Sequence, residues 1–274
     1  MTSQRNSRDI LGMPAPDADE RVSYGSDPLQ FGDLRLPAGD GPHPVAIIIH
    51  GGFWRAAFSL DHIGHLAAAL TEMGVATWSL EYRRIGDPGG GWPGTFQDVG
   101  AGADFLRQLA ESRPLDLGRV ATVGHSAGGH LALWLAGRSG LPGGSPLATR
   151  DPFRPHGVVS LAGVADLRRA WELKLSNTVV ADLVGGSPAD VPERYQAASP
   201  IERPALHLPQ YLVHGTHDTI VPIQISEHYV ERARQEGDDA RLVPVEGAGH
   251  FELIDPRSDA WSTVAGAVGD LLHN

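Results

Sequence analysis

Along the chain, short apolar runs alternate with segments whose apolar residues recur at helical spacing. The clearest run is Pro44-Val45-Ala46-Ile47-Ile48-Ile49, β-branched and bounded by proline, which reads as a fully buried strand. Runs of similar character fall at 75–80, 119–123, 156–161, 209–214 and 241–245. Helical patterns occupy 60–73, 95–111, 127–138, 223–236 and 257–273. Ahead of them, Val22-Ser23-Tyr24 and Leu29 to Leu36 read as an antiparallel pair at a sheet edge. Strands alternating with helices predict an α/β protein: a doubly wound, mostly parallel sheet with helices on both faces. Residues 162–208 interrupt the alternation and are expected to form a short cap insertion, with Trp171, Leu173, Leu175 and Leu183 sealing it onto the core. Residues 1–20, polar and proline-containing, read as a flexible N-terminal arm, and 21–274 as one domain.

Composition narrows the partners. A chain of 274 residues, 41% hydrophobic, buries a sizeable core. A formal net charge of −11 repels phosphate backbones and anionic lipid, so neither nucleic acid nor a membrane surface is an expected partner. With no cysteine, neither disulfides nor thiolate metal sites can form, and the histidines show no H-E-x-x-H spacing, so neither a metal nor another cofactor is expected. No run has the apolar length of a membrane span, and the first residues lead into no signal-like stretch, so a cytoplasmic location is expected. The sequence is compatible with a homodimer.

The chemistry-bearing motif is Gly124-His125-Ser126-Ala127-Gly128, set between the strand run at 119–123 and the helix run at 127–138. Glycines two places either side of a serine permit a sharp strand-to-helix turn that exposes Oγ at the top of a sheet. A serine hydroxyl is a poor nucleophile at neutral pH and needs a base, a group that orients the base, and donors for the oxyanion. His250, on the Gly-rich loop Gly247-Ala248-Gly249 after the run at 241–245, is the candidate base. His214 reads instead as a satisfied core group, and His62, His65 and His228 fall in helix-like stretches. Asp218, on the loop leaving the strand at 209–214, is the candidate acid, 92 residues after the serine and 32 before the histidine. Asp also caps turns and helices. Asp166 is the rival acid, with a second reading as the cap of a helix beginning near Leu167. The loop His50-Gly51-Gly52-Phe53-Trp54, at the carboxyl end of the first buried strand, can turn backbone N–H groups inward. Gly52 and Phe53 are the candidate oxyanion donors there, together with Ala127. Phe53, Trp54, Trp92 and Phe251 are candidate apolar walls for a substrate.

These loops, in the chain order Ser, Asp, His, resemble the α/β-hydrolase superfamily, and within it the esterase/lipase group that carries HGG at the oxyanion hole. Phe53-Trp54 after the glycines is similar to the HGG-[FY]-W signature of kynurenine formamidase (arylformamidase) and its bacterial relatives. Ser79-Leu80-Glu81-Tyr82-Arg83-Arg84, Trp92-Pro93, Gln97-Asp98-Val99 and Tyr195-Gln196-Ala197-Ala198-Ser199-Pro200 also resemble that group. The likeness runs from about Val22 to the end. Phe53 and Trp54 depart from the hormone-sensitive-lipase type, which has a further glycine there. The resemblance implies a serine hydrolase acting on small carboxyl esters or aryl (form)amides through an acyl-enzyme. A lactonase or dipeptidyl-peptidase-like hydrolase is the alternative. A non-catalytic binding module is a weaker one, because all three triad residues are present.

Overall fold

The computed structural model describes residues 7–203 and 205–273. Eight strands form one sheet: β1 (Glu20–Ser23), β2 (Phe31–Arg35), β3 (His43–Ile49), β4 (Ala76–Leu80), β5 (Leu115–His125), β6 (Gly157–Leu161), β7 (Gln210–Gly215) and β8 (Ala240–Val245). Their spatial order is β1-β2-β4-β3-β5-β6-β7-β8, antiparallel for β1–β2 and β2–β4 and parallel from β4 to β8. The expected doubly wound, mostly parallel sheet is therefore present.

β3 shows why the apolar runs are continuous. Successive side chains alternate between the faces, and both faces are covered, so every position must be apolar. Val45, Ile47 and Ile49 pack on one side of the sheet, and Ala46 and Ile48 on the other. Helices α1 (Gly64–Glu72) and α9 (Trp261–Leu272) cover the second side, contributing Leu66, Leu70, Val264 and Val268. Helices α2 (Gly94–Asp104), α3 (Leu106–Ala110), α4 (Ala127–Gly137) and α8 (Gln224–Gln235) cover the first. Ile47 is fully buried, so truncating it to Ala would cost about 2–5 kcal/mol.

The interruption at 162–208 contains three short helices, α5 (Leu167–Glu172), α6 (Val179–Val184) and α7 (Pro192–Ala198). Leu183 is buried with the core, Leu175 packs against it, and Trp171 and Leu173 stand exposed at 38% and 39%. Part of the expected N-terminal arm is not loose. Residues 1–6 lie outside the described residues, but Ser7–Gly12 forms a 3-10 turn whose Ile10 is buried against the α1/α9 side. Met13 packs against the same cluster beside it. No described helix is long and apolar enough to cross a membrane.

Candidate active site

The loops that follow β3, β5, β7 and β8 all leave the carboxyl edge of the parallel sheet, where such sheets place ligands. β5 ends at His125, α4 begins at Ala127, and Ser126 between them has φ 58° and ψ −119°. A left-handed non-glycine residue costs on the order of 1–3 kcal/mol and persists only where its surroundings over-determine it. Here the Ser126 N–H donates to the Leu161 carbonyl (2.8 Å) and its carbonyl accepts the His130 N–H (3.1 Å). The motif's glycines have a steric cause. A Cβ on Gly124 would collide with the Gly128 carbonyl, and one on Gly128 with the Ile49 carbonyl.

The structure brings His250 and Asp218 together. Nδ1 of His250 lies 2.6 Å from Oδ2 of Asp218, with both side chains buried. The other carboxylate oxygen accepts the N–H groups of Ile220 (2.8 Å) and Val221 (2.9 Å), so Asp218 also organises its own turn. Burial pushes the Asp218 carboxyl up, but His214, His250 and the Val221 N–H outweigh it and hold the group well below the usual carboxylate range. His214 is the satisfied core group expected, with Nδ1 2.8 Å from Ser226 Oγ and Nε2 2.9 Å from the Val221 carbonyl. Asp166 is elsewhere employed: it is the N-cap of α5, accepting the Arg169 N–H at 2.9 Å.

In the loop after β3, Gly52, Phe53 and Trp54 are left-handed in succession, with φ of 103°, 50° and 56°. A buried network holds this turn. His50 places Nδ1 2.8 Å from the Gly51 carbonyl and Nε2 3.0 Å from Glu81, and stacks on Tyr82 at 4.4 Å. The Tyr82 hydroxyl donates to the His50 carbonyl (2.9 Å). Burial pushes the Glu81 carboxyl up, and His50, Arg84 and the Tyr82 N–H more than reverse that. Ala127 opens α4, and the first N–H groups of a helix have no partner within it.

Of the candidate walls, Phe53 and Phe251 are half-buried beside these loops. Trp54 is not a wall. It is fully buried, and its indole N–H donates to Nδ1 of His130 (3.2 Å), which bolts the loop to α4. Trp92 faces a different cavity, of about 840 Å³, where Arg194 lies over its ring at 5.7 Å. That cavity is lined by Pro142 and Arg203 rather than by Ser126 or His250. It opens at the far end of α4, whose 11 residues span roughly 16 Å at about 1.5 Å per residue. A cleft of about 220 Å³ does border His250, lined also by Thr219, Ile220, Phe251, Ser7 and Arg8. The Arg8 guanidinium stands 5.9 Å over the Phe251 ring. Sequence reasoning missed this contribution, since nothing in a polar arm marks the residue that folds back. Phe58, also missed, is 40% exposed and packs where a Gly52 side chain would lie.

The sheet order and the loop placement are those of an α/β-hydrolase. A family model described as BD-FAE matches residues 33–232, and the chain belongs to that α/β-hydrolase esterase family. It is 31% identical over 252 residues to "Esterase LipC" of Mycobacterium tuberculosis, covering 86% of this chain but 60% of that protein, so it spans less than two thirds of that relative. Among solved structures, a truncated carbohydrate esterase from gut microbiota superposes with TM-score 0.79 at 23% identity, over 95% of this chain and 98% of that one. A propionate-bound thermophilic esterase from Thermogutta terrifontis does so with TM-score 0.74 at 22% identity, over 93% of each chain.

Proposed function

We propose that the chain is a serine carboxylesterase that cleaves small esters through an acyl-enzyme. The observation that carries this reading is the left-handed elbow at Ser126 on the same sheet edge as the His250–Asp218 pair at 2.6 Å. Ser126 Oγ attacks the ester carbonyl while His250 takes the hydroxyl proton, and Asp218 holds the imidazole in the tautomer that leaves Nε2 free to accept. The carbonyl oxygen becomes negative and is met by the N–H groups of Gly52, Phe53 and Ala127. His250 then gives its proton to the departing alkoxide. Water, deprotonated by His250, attacks the acyl-enzyme, and collapse releases the acid and restores Ser126.

Esterase relatives support the ester chemistry, at the partial coverage given above. For the acyl group we propose formyl to butyryl, because Phe53 and Phe58 crowd the oxyanion turn. The HGG-Phe53-Trp54 signature supports aryl formamides as a second substrate class for the same site. A fluorophosphonate probe should label the wild type and not Ser126→Ala, whose turnover should fall on the order of 10⁴- to 10⁶-fold. Undiminished turnover would remove Ser126 from the mechanism. Short p-nitrophenyl esters, N-formylkynurenine, a lactone and an aminoacyl anilide, assayed side by side, rank the substrate classes.

A further inference from the structure

We infer that His62 and His125 are positioning residues: hydrogen-bonded to each other, they hold the base loop, the nucleophile elbow and the oxyanion turn in register. The inference rests on the serine-hydrolase reading above. His125 is the last residue of β5, directly before Ser126, and is fully buried. Its Nε2 lies 3.0 Å from the main-chain carbonyl of His250, and its Nδ1 lies 2.9 Å from Nε2 of His62. A carbonyl can only accept, so the proton sits on His125 Nε2. With Nδ1 then a bare acceptor, His62 donates through its own Nε2. His62 Nδ1, buried and without a hydrogen-bond partner, is left as the unprotonated nitrogen of a neutral ring. One arrangement of protons satisfies every contact the pair makes.

The third loop is held by exclusion. A Cβ on Gly51 would stand 2.8 Å from the His125 carbonyl and 3.2 Å from both His125 Nδ1 and His62 Nε2. The oxyanion turn therefore lies directly on the imidazole–imidazole hydrogen bond, which explains the first glycine of the HGG loop. The His125 ring also packs 4.5 Å from the His250 ring, and the rings of His125 and His62 lie with their centroids 6.0 Å and 6.2 Å from that of Phe251. Burial, reinforced by neighbouring histidines, holds His62 down to about 3 and His125 well below its ordinary value, in keeping with uncharged rings beside a base that must itself become a cation. The Asp218 contact fixes the His250 side chain, whereas His125 fixes its backbone to the strand that carries the nucleophile. Misplacement of a reacting group by about 1 Å can cost on the order of 10²-fold in rate.

The test compares two amides at position 125. In His125→Gln the side chain can donate to the His250 carbonyl and accept from His62. In His125→Asn it is one methylene too short to do so. Turnover of p-nitrophenyl acetate should stay within about threefold of wild type for Gln and fall roughly 10- to 100-fold for Asn, with KM nearly unchanged in both. His62→Phe, which deletes the donor to His125, should lower kcat in the same direction. Equal kcat for Gln and Asn, a loss confined to KM, or a wild-type kcat in His62→Phe would each overturn the role of the pair while fluorophosphonate labelling of Ser126 stands. Absence of that labelling in the wild type would instead overturn the nucleophile assignment and the pair's role with it.

Discussion

Asp218 gives one oxygen to His250, at 2.6 Å, and the other to the backbone of its own loop, at 2.8 and 2.9 Å. In the proposed mechanism the orienting and turn-capping roles are thus divided between two atoms of one side chain. Asp218→Asn can keep the capping bonds through its carbonyl oxygen while misdirecting the imidazole. Turnover near neutral pH should fall on the order of 10⁴-fold with the melting temperature nearly unchanged. Asp166→Asn should be close to silent, because Asn and Asp are equivalent N-caps. Kinetics of the two variants side by side decide the matter, and the reverse ranking would move the acid to the strand before α5.

Gly52 combines φ of 103° with a neighbour, Phe58, lying where a side chain would go. Gly52→Val should lower turnover roughly 10²- to 10³-fold, the scale of one lost oxyanion donor. It should also destabilise the fold by about 1–3 kcal/mol through its strained backbone. Urea titration separates the two effects. An unstrained, fully active valine variant would exclude Gly52 from the oxyanion turn.

Phe58 packs where a Gly52 side chain would lie and Phe53 is half-buried beside it, whereas Trp54 is withdrawn into the core. Activity on p-nitrophenyl esters should peak between acetyl and butyryl and fall sharply beyond. A maximum at octanoyl or longer would refute the small-acyl pocket. Phe58→Ala should shift the peak toward longer chains.

Acid should weaken the fold through its buried histidines. Burial holds His130 down to about 4 and His62 to about 3, and His125 lies well below its ordinary value too. The unfolded chain takes up these protons near pH 6.5, so stability is complete above that value and is lost as pH falls from 6.5 toward 4. Each group contributes about 1.4 kcal/mol per pH unit inside its window. Asp218, depressed in the folded state, adds its loss only at more acid pH, below its unfolded value. Urea unfolding at pH 7, 5.5 and 4.5 should show a steadily falling free energy, and a flat profile would show that these rings are not held neutral.

What could be read from the sequence follows from how strongly each position is constrained. β3 was legible because two covered faces demand apolar residues throughout, and the elbow because carbonyl oxygens leave no room at Gly124 and Gly128. The sequence pattern marks β5 only from Arg119, yet the strand starts at Leu115, since its first half is partly exposed and mixes Asp116 and Gly118 into it. The helix expected over 95–111 is two helices meeting at Phe105, and the one expected over 60–73 opens with a 3-10 turn at Leu60–Ile63. No local pattern announces such joints. The partnership of His62 with His125 was invisible for another reason: the two lie 63 residues apart, and a histidine in a helical stretch has no mark that it meets another. Several residues behind the family likeness are scaffold. Glu81 braces His50, Arg83 is ion-paired with Asp98 at 2.6 Å, and Ser199 Oγ accepts the Leu167 N–H.

The two outermost strands bear on how copies of this chain can meet. β1 is four residues long with Arg21 exposed on it, and β8 carries Arg241 and Pro244, the latter a residue with no N–H to offer an incoming strand. Short length, charge and proline are the devices by which open sheets refuse an added neighbour. Two molecules brought edge to edge would therefore meet a short, charged strand or a proline-interrupted one, so a fibre-like continuation of this sheet is disfavoured at both ends.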